Sequence, residues 1–176
     1  MRFLLSVCLK GASPQDPEAR RRCGVLSGGV GIALNLLLFL GKLLAGVVTA
    51  SIAVTADAFN NLSDAASSVV TLVGFHLAGQ EADEEHPFGH GRMEYLAGLV
   101  VALLILLVGV ELAQSSLQKI IHPEPVSFSV LSAGILSASI LVKLWMFWFN
   151  RGLSRAIRSA ALAATAADSL SDAAAT

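Results

Sequence analysis

Ala56-Asp57-Ala58-Phe59-Asn60-Asn61-Leu62-Ser63-Asp64 is a polar stretch set inside a long apolar one. Ala167-Asp168-Ser169-Leu170-Ser171-Asp172 repeats the situation near the other end of the sequence. An ionised carboxylate in hydrocarbon is costly on any scale. A chain that puts carboxylates there twice, each time at four-residue spacing, needs something to neutralise them. A divalent metal ion alternating with protons is the simplest candidate. The two stretches make the chain readable as an all-α polytopic transmembrane helix bundle that moves ions.

Of the 176 residues, 55% are hydrophobic and 14% charged, and the mean hydropathy is +0.69. An ordinary soluble domain carries roughly a quarter charged residues. The charges here are gathered into a few short segments between apolar runs. A net charge of −1 gives no electrostatic case for nucleic acid as a partner. Cys8 and Cys23 lie in or beside the basic N-terminal segment and read as reduced thiols, not as a disulfide framework. The opening Met1-Arg2-Phe3-Leu4-Leu5-Ser6-Val7-Cys8-Leu9 is too short an apolar core for a signal peptide, and Lys10 ends it.

Residues 1–22 are expected to be a cytoplasmic tail ending in Arg20-Arg21-Arg22. Residues 23–176 divide into apolar spans at about 23–50, 52–78, 93–120, 126–149 and 159–176, and a bilayer crossing takes roughly 20 helical residues. Thr49-Ala50-Ser51 is a turn without charge, and residues 80–92 are a charged loop. His122-Pro123-Glu124-Pro125 separates the third and fourth spans, because two prolines so close cannot continue a helix. Residues 150–158 read as a basic connection. Arg20, Arg21, Arg22, Arg92, Arg151, Arg155 and Arg158 all fall on one side of this zigzag, whereas the opposite turns contain only Lys119. The lysine and arginine bias puts the N-terminus and the Asp83–Arg92 loop in the cytoplasm, and a bacterial-type inner membrane is the expected location. Trp145 and Trp148 fall near the inner end of the fourth span, where indoles favour the interface. Gly24, Gly28, Gly29, Gly31, Gly41 and Gly46 crowd the first span, and small residues let helices approach closely in lipid.

On a helix, residues four apart share a face. Asn60 and Asp64 therefore share a face of the second span, with Asp57 on the same side one turn outward, and Asp168 and Asp172 share a face of the fifth. The two spans run in opposite directions, so Asn60 matches Asp172 in depth and Asp64 matches Asp168. Together they offer three carboxylates and one carboxamide oxygen. That hard donor set suits manganese, magnesium or calcium, whereas imidazole or thiolate would favour zinc or copper. The plainer alternative is that these groups only hydrogen-bond helices together. Asn61 is turned about 100° from Asn60 and suits a packing or hydrogen-bond role. An empty acidic site of this kind is expected to hold protons and to release them as metal enters.

At these residues the chain resembles the cation diffusion facilitator (cation efflux) family. The likeness rests on the 56–64 stretch, on His86-Pro87-Phe88-Gly89-His90-Gly91-Arg92-Met93-Glu94, on Asp168 with Asp172, and on the order of spans, from about residue 23 onward. The resemblance implies a transport site made of Asn60, Asp64, Asp168 and Asp172. The asparagine-plus-aspartates quartet looks like the family's manganese-exporting branch. It also implies a possible loop metal site at Asp83, His86 and His90, against the alternative of a solvated acidic loop. Glu81, Glu84 and Glu85 could concentrate cations there. The family pattern adds a sixth span and a cytoplasmic domain that supports homodimers. Relative to that pattern the chain looks C-terminally truncated, ending in its fifth span.

Lys42 and Glu111 lie at comparable depth in the outer half and could pair across the bundle, or each could snorkel. Lys143 is expected to snorkel to the interface, His76 to be a packing residue, and His122 an exposed turn residue. The expected function is divalent cation efflux by alternating access, with Mn2+ favoured and Zn2+, iron, cobalt or cadmium as alternatives. No permanent cofactor and no enzymatic chemistry are implied. The expected partners are membrane lipid, the transported ion, protons and a second copy of the intact protein. A non-transporting scaffold and a truncated regulatory subunit are the rivals.

Overall fold

The computed structural model describes residues 13, 16–81, 86–121 and 130–176, without the side chains at 112, 115 and 119. Residues 1–12 with Cys8, the acidic residues Asp83, Glu84 and Glu85, the side chain of Lys119, and the stretch from His122 past Val126 lie outside the described residues, and the rest of the expected tail, from Pro17 to Arg22, is the first part of a helix. The described residues form five helices and no strand. These are α1 (Pro17–Val48), α2 (Ile52–Ala78), α3 (Arg92–Ile121), α4 (Val130–Ile157) and α5 (Ala160–Ala175). The molecule is an all-α membrane bundle. α1, α4 and the Arg92–Gln118 part of α3 are long and apolar enough to cross a membrane. α2, with 27 residues, is about 40 Å long, but its polar stretch lowers its hydropathy. The residues expected as a basic connection, 150–158, are helical as far as Ile157.

Each of three helix starts has a chemical cause. Asp16 caps α1 by accepting from the Glu18 amide, and Pro17 occupies the first turn, where its missing N–H costs nothing. Ser51 accepts from the Val54 amide and caps α2. Just before it, Ala50 turns the chain with φ 51°. Ser159 accepts from the Leu162 amide and caps α5, after Arg158 reverses direction with φ 50°. Within α2 and α5 the hydroxyls bond back one turn. Ser68 donates to the Asp64 carbonyl, Thr71 to Ser67, Thr165 to Ala161 and Ser169 to Thr165. Such bonds satisfy polar side chains inside the helix that bears them, so the polar stretches do not need lipid-facing partners.

The α1–α2 hairpin is the most extensively packed pair, followed by α4–α5. Its closeness depends on α1 glycines. A Cβ on Gly28 would lie 2.6 Å from Leu72 Cβ and 2.9 Å from the Leu72 backbone, and one on Gly24 would fall inside the Phe75 ring. Gly29, next in sequence, faces open space. Gly28→Val is therefore expected to lower stability by about 1–3 kcal/mol through overpacking, while Gly29→Val leaves it nearly unchanged. Thermal unfolding of the two variants in detergent checks this difference.

At the end of the bundle that carries Arg20, the buried apolar cluster is formed by Cys23, Phe75, Phe149, Leu153, Ile157, Ala161 and Leu162. Arg20 seals it. Its guanidinium grips Glu94 of α3 in a bidentate pair at 2.7 and 3.1 Å and donates to the Ile157 carbonyl at the end of α4. One side chain thus ties α1, α3 and α4 and satisfies a terminal carbonyl. A cavity of about 380 Å³ at this end is lined by Arg20, Arg21, Arg92 and Arg158.

Candidate metal centre

Asp64 projects from α2, and Asp168 and Asp172 project from α5. One carboxylate oxygen from each lies within 4.8 Å of the others. Asp64 and Asp172 are buried, and Asp168 is partly buried. α2 and α5 touch only along a short line, marked deeper in the bundle by Thr71 and Thr165, whose hydroxyls are 3.4 Å apart. The three carboxylates converge where the two helices approach. Oxygens this close and this poorly solvated repel one another unless a cation lies among them. The arrangement can hold one hard dication.

α4 supplies a cation of its own. Lys143 Nζ lies 2.6 Å from Asp64 Oδ2 and 2.6 Å from Asp172 Oδ2, donating to both. Its side chain is 1% exposed. The expectation that Lys143 snorkels to the interface is corrected: the ammonium points into the bundle because two buried carboxylates await it there. Asp168 forms no hydrogen bond or ion pair among the described residues. With every group ionised, the three carboxylates and one ammonium carry a formal charge of −2, the charge one dication balances.

The pairing expected between Lys42 and Glu111 is also corrected. Lys42, wholly buried on α1, pairs instead with Asp57 of α2, Nζ to Oδ2 at 2.7 Å. Glu111 is exposed on α3. Asp57 was expected as an accessory metal residue. It stands two turns outward of Asp64, about 10 Å along the axis, with its charge matched by Lys42. Asn60 is partly buried one turn outward of Asp64 and forms no side-chain hydrogen bond among the described residues. Asn61 is buried, donates to the Asp57 carbonyl at 2.9 Å, and leaves its own Oδ1 without a partner.

Of the candidate loop site, Asp83 lies outside the described residues. The His86 and His90 rings sit 4.4 Å apart, centroid to centroid, and His90 Nδ1 is 3.3 Å from the Glu81 carbonyl. His76 is exposed near the inner end of α2. Trp145 and Trp148 face out of the bundle.

Lys143 was the group that sequence reasoning missed, although a signal existed. Ser139, Lys143, Met146, Asn150, Leu153 and Ile157 recur at three- and four-residue intervals and form the buried stripe of α4. Ser27 donates to Asn150 at 2.6 Å on that stripe. The tryptophans occupy the opposite face. A lysine in register with a buried serine and a buried asparagine belongs to the interior face of its helix.

Residues 30–176 match the family model described as the cation efflux transmembrane domain. Over 144 residues the chain is 33% identical to the manganese efflux system protein MneS of Bacillus subtilis, covering 82% of this chain and 50% of that protein. It is 32% identical over 136 residues to the magnetosome protein MamM of Magnetospirillum gryphiswaldense, covering 73% and 42%. It is 33% identical over 128 residues to the cation-efflux pump FieF of Cronobacter sakazakii, covering 73% and 43%. The chain spans about half the length of the curated relatives it matches. A five-helix membrane bundle with carboxylates gathered between its second and fifth helices, matched over residues 30–176, belongs to the cation efflux (cation diffusion facilitator) family.

Proposed function

We propose that the protein exports divalent metal cations, with Mn2+ as preferred cargo, in exchange for protons. The observation that carries the proposal is the buried meeting of Asp64, Asp168 and Asp172 from two helices. Their oxygens are hard donors suited to Mn2+. Asn60, on the Asp64 face of α2, is the proposed fourth ligand and a neutral one. The likeness to a protein named for manganese efflux supports the same cargo. His86 and His90, with Asp83, form a proposed secondary cation site at the cytoplasmic mouth. The intact protein is proposed to work as a homodimer.

The carboxylates would take the ion from one side and, after helices rock about the site, release it on the other. Metal displaces protons from such ligands and protons displace metal, so the two fluxes oppose each other. Proteoliposomes containing the protein test this with a Mn2+-sensitive dye and a pH dye in the same vesicles. Mn2+ entry should be accompanied by proton movement in the opposite sense and should accelerate when a pH gradient favours it. Mn2+ flux indifferent to pH, with no proton counter-flow, would remove the exchange mechanism. Absence of Mn2+ flux would remove the function.

A further inference from the structure

We infer that Lys143 is a tethered cation that fills the carboxylate site when cargo is absent and is displaced one helical turn outward when cargo enters. The inference rests on the proposed metal site and concerns what that site does when empty. Lys143 Nζ touches Oδ2 of Asp64 and Oδ2 of Asp172 at 2.6 Å each. A hard dication would bind carboxylate oxygens at about 2.0–2.6 Å. It needs the same lone pairs and the same space, and it carries like charge. Metal and ammonium therefore cannot share this point. Loading the site is an exchange of one cation for another.

Two buried oxygens without hydrogen-bond partners among the described residues are the acceptors assigned to the displaced ammonium. Ser139 precedes Lys143 by four residues, on the same face of α4. It is 0% exposed, and its Oγ has no hydrogen-bond partner among the described residues. Asn61 precedes Asp64 by three residues on α2 and is 1% exposed, and its Oδ1 is equally unpartnered. α2 and α4 run in the same direction across the bundle. Both residues therefore lie on the outward side, Asn61 about 4.5 Å from Asp64 and Ser139 about 6 Å from Lys143 along their helix axes. Buried acceptors without partners are rare and call for an explanation. A helical lysine side chain leans toward the N-terminal end of its helix, which for α4 is the outward end. Held there, the ammonium stays close enough to the carboxylates to keep the loaded site near neutrality.

Two consequences follow for transport. The empty carrier is left with two uncompensated carboxylate charges instead of three, so fewer protons are needed for it to reorient without cargo. The lysine also acts as an internal competitor, and apparent metal affinity falls with the fraction of time it occupies the site.

Titration of the purified chain with Mn2+, read by the loss of the free-ion electron paramagnetic resonance signal, tests the inference. Lys143→Met and Lys143→Gln remove the competitor and are expected to tighten binding by about tenfold or more. A merely structural lysine would give the opposite sign. Asp168→Asn serves as the site control. If Asp168→Asn loses binding while both Lys143 variants bind no tighter than wild type, the tethered-cation inference is overturned and the metal site stands. If no variant and no wild-type chain binds Mn2+ saturably, the metal site itself fails and the inference with it. Should the Lys143 variants not fold, a structure of the Mn2+-loaded wild type decides. Lys143 Nζ is expected beyond hydrogen-bond reach of Asp64 and Asp172, beside Ser139 Oγ. An ammonium still bridging the two carboxylates around bound Mn2+ would overturn it.

Discussion

Asp168→Asn is expected to weaken Mn2+ binding by at least about a hundredfold, close to 3 kcal/mol, while the chain still folds. Among the three carboxylates this one offers the cleanest test. Asp64 and Asp172 both receive the Lys143 ammonium, so changing either one disturbs an ion pair as well as a ligand. Asp168 has no such partner among the described residues, and it is the least buried of the three. Its amide is nearly isosteric and keeps one neutral oxygen. What disappears is one negative charge within 4.8 Å of the other two ligand oxygens. In a poorly solvated site that charge is a large share of the attraction for a dication. Binding isotherms and thermal unfolding measured on the same preparation separate the two effects. Undiminished Mn2+ affinity in this variant would leave the cluster as helix glue.

Asp57→Leu should behave the other way round, costing stability far more than metal affinity. The substitution leaves the Lys42 ammonium wholly buried without its 2.7 Å counter-charge. Breaking one side of a buried pair typically costs about 3–5 kcal/mol. The double variant Lys42→Met, Asp57→Leu should recover most of that loss, because an apolar replacement of both partners removes the desolvation penalty along with the attraction. A double-mutant cycle on thermal unfolding should give a coupling above about 1 kcal/mol. Mn2+ affinity should stay near wild type in the double variant. A loss of affinity there would return Asp57 to the ligand set, the role its place in the 56–64 stretch suggested.

These two aspartates show where sequence information ended. Helical spacing put Asp64, Asp168 and Asp172 on one face each of two antiparallel spans at similar depth, so their meeting was legible as an expectation, and the bundle supplied the adjacency of the two spans. The five-helix all-α architecture was equally legible, because apolar runs interrupted by short charged segments admit few alternatives in a bilayer. The glycine-rich first span announced a close neighbour. Which side chain each glycine faced was not readable, since Gly28 and Gly29 look alike in sequence and only one of them meets Leu72.

The cations were misjudged for a single reason. Lysine near a span end has two low-energy choices, to snorkel or to find a buried anion, and composition does not distinguish them. The choice depends on which helix faces which. Lys42 and Glu111 were matched by depth alone, yet α1 packs on α2 far more than on α3, and Asp57 is the acid within reach.

Local chemistry in the chain therefore determined the helices, their caps and the depth at which acidic groups sit, because each depends on neighbours a few residues away. Tertiary packing decided which charges touch. α4 delivers Lys143 between α2 and α5, and α1 delivers Lys42 to Asp57. Coulomb attraction in a medium of low polarity acts over a few ångströms between residues up to 79 positions apart. Only the assembled bundle brings those residues within range.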